Sequence, residues 1–178
     1  MNQSSTSIAA IAAIVSADRR AADVLVSAFA TALIQAGHNV HGLIQQRTAD
    51  DKTGTVLLDL HDGARYPLFQ NLGSGSASCS VDTGSLAMAS HALRRALEAH
   101  ADLAIANRFG PLEAEGEGLA AEMLAVMAEG IPFLTIVAAE YLPAWRHFTG
   151  GVGAELPAQR AALETWFAAV AATPKVRD

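Results

Sequence analysis

The chain carries a single cysteine, Cys79, in 178 residues. An internal disulfide and every zinc framework built on several thiolates are therefore excluded, and a cytoplasmic location is the default expectation. Aromatic residues make up only 6% of the sequence against 51% apolar residues overall. With alanine abundant, the expected interior is one of helices packed closely through small side chains. Basic residues are also scarce: 12 Lys and Arg against 18 Asp and Glu give a net charge of −6. They are not clustered, so no row of phosphates is neutralised, and a general nucleic-acid or anionic-membrane surface is excluded. Any anion site must be local. Long apolar runs are missing too, since Ile8 to Val15 falls far short of the ~20 residues a membrane span needs. Met1 to Ser7 is polar without a basic start, so no secretory leader is expected. The histidines at 38, 41, 61, 91, 100 and 147 show no metal-ligand spacing. His41 and Gln45 are expected at the surface, although the second strand could carry them to a site.

What is present is a regular alternation of strand and helix patterns. Ile8 to Val15 reads as a strand covered on both faces, and Asp18 as the N-cap of a helix with Leu25, Ala28, Phe29, Ala32 and Leu33 on its buried side. Gly37 stands where a helix-ending glycine belongs. Asn39 to Gln46 is a second strand. The stretch Asp50 to Gly54 reads as a turn, and Thr55 to Leu60 and Arg65 to Phe69 flank another at His61-Asp62-Gly63, predicting a β-hairpin. Leu86, Ala89, Leu93, Ala96 and Leu97 predict one helix ending near His100. Asp102 to Ala106 and Ile131 to Val137 are core strands around a helix from Leu119 to Glu129. Ala158 to Ala171 is a final helix carrying Leu163, Trp166, Phe167 and Val170, and Trp145 is expected to cover it. The rhythm predicts a single α/β domain over residues 1–178, a mostly parallel sheet with helices on both faces and a β-hairpin insertion.

The segment from Gln70 to Gly84 is rich in glycine and serine and leads into a helix. Ser74, Gly75, Ser76, Ser78 and Cys79 are candidate ligand-binding residues, because backbone N–H groups of such a loop form a nest and the helix start adds partial positive charge. The same composition equally describes a flexible surface loop. Cys79 reads either as a thiolate activated by the helix start or as a small packed residue. In a parallel sheet, ligands lie beyond the carboxyl ends of the strands. That makes Ser16 to Arg20, Asn107 to Gly118 and Ala138 to Arg146 site candidates by position. Arg108, directly after a strand, suits bidentate contact with an oxyanion, or an internal salt bridge to Glu113 or Glu115. Glu113, Glu115 and Glu117 suit a divalent cation or the dipole of the following helix. Arg146 could close over a ligand as a lid.

The motifs Gln70 to Ser76 with Cys79 and Asp82, Ala101-Asp102-Leu103 leading to Asn107-Arg108-Phe109-Gly110 and Glu113 to Gly118, and Gly130 to Thr135 resemble a bacterial P-loop-NTPase-like family, domain-of-unknown-function family 2478. At greater distance the arrangement is similar to small nucleoside-triphosphatases. The resemblance implies a P-loop-NTPase-like fold and, through an association with molybdate uptake, a small oxyanion ligand. Against the pattern Gly-x-x-x-x-Gly-Lys-Ser/Thr, this chain reads Ser16-Ala17-Asp18-Arg19-Arg20-Ala21-Ala22-Asp23, a degenerate Walker A without glycine or lysine. Asn107 and Arg108 stand where the resemblance implies a magnesium-linked Asp and a catalytic Glu, with Glu113 still in register. The reading is a cytoplasmic small-oxyanion-binding protein, molybdate or tungstate first, that does not hydrolyse nucleoside triphosphates. The alternatives are a divergent phosphohydrolase or transferase with Glu113 or Glu115 as base, and an assembly or regulatory partner. A homo-oligomer could form through the alanine-rich Leu119 to Glu129 helix. No cofactor follows from the sequence.

Overall fold

The structure is a computed structural model that describes residues 9–47, 54–70 and 81–173. The chain runs β1 (Ile11–Val15), α1 (Arg19–Gln35), β2 (Val40–Arg47), β3 (Thr55–Asp59), β4 (Arg65–Pro67), α2 (Thr83–Ala89), α3 (His91–Glu98), β5 (Leu103–Ile105), α4 (Pro111–Ala114), α5 (Ala120–Ala128), β6 (Phe133–Val137), a 3-10 turn (Ala139–Tyr141), α6 (Leu142–Phe148), β7 (Ala154–Pro157) and α7 (Arg160–Ala171). The strands form one sheet in the order β4-β3-β2-β5-β6-β1-β7. Strands β2, β5, β6, β1 and β7 are mutually parallel, and β3 and β4 add the expected hairpin antiparallel at one edge. Helices α1 and α7 cover one face with Val26, Phe29, Leu163 and Phe167. The other face is covered by Leu86, Leu93, Met123 and Trp145. The two apolar layers explain why the inner strands read as continuous apolar runs rather than alternating ones.

Local chemistry sets the element ends. Asp18 caps α1, its Oδ1 accepting from Ala21 N at 3.0 Å, and Asp82 caps α2 through Ser85 N at 2.9 Å. Several expectations are corrected. The buried side of α1 is Ala22, Val26, Phe29 and Ala30, with Ala28 exposed, because the sheet meets the helix about a quarter turn from the stripe drawn through Leu25 and Ala28. The helix expected from Leu86 to Leu97 is two, broken at Ser90, whose Oγ donates to Ala87 O at 2.7 Å. Strand β7 was hidden: four residues ending in Pro157 at the sheet edge carry too little periodicity to announce themselves. Trp145 packs against Phe109 and Phe133, on the face opposite α7. The turn expected at Asp50 to Gly54 lies almost wholly outside the described residues.

His41 is buried, not at the surface. Its Nε2 lies 2.8 Å from Asn39 Oδ1, and the Asn39 amide nitrogen donates to Ala99 O, which places the imidazole proton on Nε2. Its ring stacks on His61 at 5.2 Å. Burial, with the neighbouring His61, holds its pKa below the ordinary histidine value. The unfolded chain therefore takes up a proton near pH 6.5 that the folded chain refuses until lower pH, so folding loses stability as pH falls through that window. Thermal unfolding from pH 7.5 to 5.5 should show a steeper loss in the wild type than in His41→Gln. Equal slopes would contradict this.

Candidate functional site

Strand β1 passes through α1 to β2 on one side, whereas β6 passes through α6 to β7 on the other. The chain therefore changes direction between the adjacent ends of β1 and β6, paired at Val15 and Val137, and a crevice opens there. The segment after β5 leans into it, since Phe109 bridges to Val137. The result is a cleft of about 160 Å³ lined by Arg19, Arg108, Phe109, Gly110, Pro111, Ile136, Ala138 and Tyr141. All three loops selected by position contribute to it.

Arg108 is the best-held cation of the cleft. Its Nη2 donates to Asp23 Oδ1 at 2.6 Å and to Arg19 O at 2.9 Å. The pair is mostly sheltered, with side-chain exposure of 20% for Arg108 and 11% for Asp23. Asp23 Oδ2 accepts from Gln45 Nε2 at 3.3 Å, and Gln45 Oε1 accepts from Asn107 Nδ2 at 3.2 Å. Asp23 thus joins α1, β2 and the end of β5. Burial raises its pKa above the ordinary aspartate value, opposed by the Arg108 guanidinium and, more weakly, by Arg47. Arg19 sits at the rim, exposed, and pairs with Glu140 at 3.1 Å.

Several sequence candidates are placed differently from their expected roles. Arg108 pairs with neither Glu113 nor Glu115; its partner Asp23 lies 85 residues away in the chain, beyond any local pattern. Gln45 is in the network rather than at the surface. Glu113 is buried inside its own loop: Oε2 accepts from Gly110 N at 3.1 Å and Oε1 from Leu119 N at 3.2 Å. Gly118, at φ +60°, lies against this carboxylate, and a Cβ there would collide with it. Glu113→Ala should therefore cost about 2–3 kcal/mol of stability through two orphaned N–H groups, read by denaturant unfolding, and leave oxyanion affinity unchanged. A matching loss of affinity would move Glu113 into the site. Glu115 and Glu117 are exposed. Arg146 is engaged by Glu155 of β7 in a two-pronged contact at 2.6 and 2.9 Å, which pins α6 to the sheet edge. Ser74, Gly75, Ser76, Ser78 and Cys79 lie outside the described residues.

A nucleotide site of the P-loop kind needs a glycine-rich loop, a lysine and a hydroxyl that holds magnesium. Here α1 begins at Arg19 inside the corresponding stretch, Ser16 Oγ donates to Asp18 O, and the Asp18 carboxylate occupies the N–H of Ala21. Asn107, for which the family resemblance implies a magnesium-linked acid, donates its side-chain amide to Gln45. Among the described residues, no three His, Cys, Asp or Glu side chains are grouped to hold a metal ion. Among the described residues, the stretch from Ser16 to Asp23 and the end of β5 do not fit a magnesium–triphosphate centre. Among the described residues, no helix is long and apolar enough to cross a membrane.

The fold is P-loop-NTPase-like. The solution structure of a human cancer-related nucleoside triphosphatase superposes with a TM-score of 0.64 at 14% identity, covering 94% of this chain and 99% of that one. The crystal structure of THEP1 from the hyperthermophile Aquifex aeolicus gives 0.61 at 12% identity, covering 89% and 95%. A curated relative, Molybdenum import ATP-binding protein ModC 2 of Bradyrhizobium diazoefficiens, is 37% identical over 148 residues, 82% of this chain. That match spans only 16% of the relative's length. Residues 11–166 match the family described as Protein of unknown function (DUF2478). The chain that folds the mostly parallel sheet and the Arg108–Asp23 crevice belongs to that family.

Proposed function

We propose that this protein binds a small tetrahedral oxyanion in the crevice beyond β1, β5 and β6, without hydrolysing nucleoside triphosphates, and that molybdate or tungstate is the ligand. The observation that carries the reading is Arg108, oriented at the cleft by Asp23 through one terminal nitrogen, with Arg19 at the rim. Among the described residues both Arg108 hydrogen bonds leave from Nη2, and a guanidinium has further donors on Nη1 and Nε. Each of these remaining N–H groups can donate a charge-assisted hydrogen bond to an oxyanion oxygen. The cleft, at about 160 Å³, lies below the ~300 Å³ at which small-molecule pockets begin, which favours a small ion over a nucleotide. The name of the Bradyrhizobium relative supports molybdate as the ligand and the cytoplasm as the place of action.

A second reading rests on a separate observation. The stretch similar to this chain is a minor part of a much longer polypeptide named for ATP-binding in molybdenum import. That arrangement supports a module working beside an ATP-binding import component, as sensor or regulator of it. Thermal unfolding tests the ligand directly. Molybdate at a hundred times its dissociation constant should stabilise the fold by about 2.7 kcal/mol, a shift of roughly 5–11 °C. Magnesium nucleotides should give no shift and no phosphate release. A shift with nucleotide alone would overturn the proposal.

A further inference from the structure

The side chains lining the cleft offer hydrogen-bond donors and almost nothing that accepts. Arg19 and Arg108 only donate, Phe109, Gly110, Pro111, Ile136 and Ala138 contribute no side-chain polar atom, and the Tyr141 hydroxyl is the one group able to do both. Five of the eight lining residues also have a backbone carbonyl that already accepts a hydrogen bond. The carbonyl of Arg19 accepts from Arg108, that of Gly110 from Ala114 N, that of Pro111 from Glu115 N, that of Ile136 from Phe109 N and that of Ala138 from Tyr141 N. The carboxylates bonded to lining residues are also engaged: Asp23 holds Arg108 and Gln45 through its two oxygens, Glu113 accepts from Gly110 N and Leu119 N, and Glu140 holds Arg19 through Oε1 on the rim.

We infer that the cleft selects tetrahedral dianions that carry no proton, such as molybdate, tungstate and sulfate, and discriminates against hydrogen phosphate. The inference rests on the oxyanion-binding reading and narrows its ligand class. Near pH 7.5, phosphate is mostly the dianion with one remaining O–H. That hydrogen needs an acceptor, and a donor buried without one loses its solvation with nothing in return. Molybdate, tungstate and sulfate at the same pH have only acceptor oxygens, which match a cleft of donors.

Calorimetric titration of the full chain with molybdate, tungstate, sulfate and phosphate at pH 7.5 reads this directly. The expected result is binding of the three proton-free dianions at least about 10-fold tighter than phosphate, the size of one unsatisfied buried donor. A second measurement uses Ala138→Asp, which adds an acceptor at a position of extended backbone (φ −75°, ψ 150°) that any residue adopts. It should weaken molybdate and sulfate while phosphate holds, closing the gap; circular dichroism checks that the variant is folded. Phosphate binding as tightly as sulfate to the wild type would overturn the selectivity and leave the oxyanion reading standing. No binding of any of the four would overturn both.

Discussion

Replacing Arg108 by alanine is expected to weaken molybdate binding by about 1.5–3 kcal/mol, roughly 10- to 150-fold, the range for hydrogen bonds to charged groups. The same change acts on the fold. Asp23 keeps a side chain only 11% exposed and loses the cation that opposes its desolvation. Its pKa, already raised by burial, rises further. A raised aspartate takes up its proton more readily when folded than when unfolded, so its ionised form costs stability as pH climbs through the window above the unfolded value of 3.8. The stability deficit of Arg108→Ala relative to wild type should therefore be largest near neutral pH and shrink as pH falls towards that value. Asp23→Asn in the same background should remove this pH dependence. A deficit that does not change with pH would place the cost in lost packing, and unchanged affinity would remove Arg108 from the site.

Gly42→Ala should be the most disruptive single substitution in the described core. Gly42 pairs with Ile105 across β2 and β5 and has φ +118°, a region L side chains rarely enter. A Cβ there would run into the carbonyl of Ile105, which is backbone and cannot rotate away. Strain and clash together predict a loss of more than about 4 kcal/mol, a large part of the 5–15 kcal/mol that holds a typical domain together. The functional consequence follows from position. This contact sets how close β2 stands to β5, and so whether Gln45 can reach Asn107 and Asp23. Denaturant unfolding would show the loss. A stable Gly42→Ala variant would mean that β2 can separate from β5 without cost.

The sheet was legible because its inner strands are short apolar runs bounded by polar turns, and because Asp18 announces the helix after β1. The mostly parallel sheet and the hairpin at His61 to Gly63 followed from that rhythm. Strand β7 was not legible, since Ala154 to Pro157 offers one alternation and ends in a residue that a central strand would reject. The orientation of α1 was missed because alanine occurs on both its sides, so periodicity alone could not say which side meets the sheet. Trp145 was assigned to the wrong layer for a related reason: a tryptophan signals burial without saying on which face.

At the site, position succeeded where pairing failed. The three loops at the carboxyl ends of the strands do converge, which is a consequence of parallel topology. Arg108 was legible as a strand-end arginine, but its partner Asp23 was not, because an aspartate one turn into a helix looks like an ordinary solvated acid until the sheet brings Arg108 over it. Gln45 was hidden the same way. The one available signal was the position of Asp23, which falls at the last place of the eight-residue stretch from Ser16, where a P-loop carries its magnesium-binding hydroxyl.

The most direct test is a calorimetric titration of sodium molybdate into the wild-type protein and into Arg19→Ala/Arg108→Ala, with magnesium–ATP titrated in parallel. The account predicts saturable molybdate binding to the wild type, its loss in the double variant, and no binding or turnover of the nucleotide. Tight nucleotide binding that survives loss of both arginines, with no heat from molybdate, would contradict it.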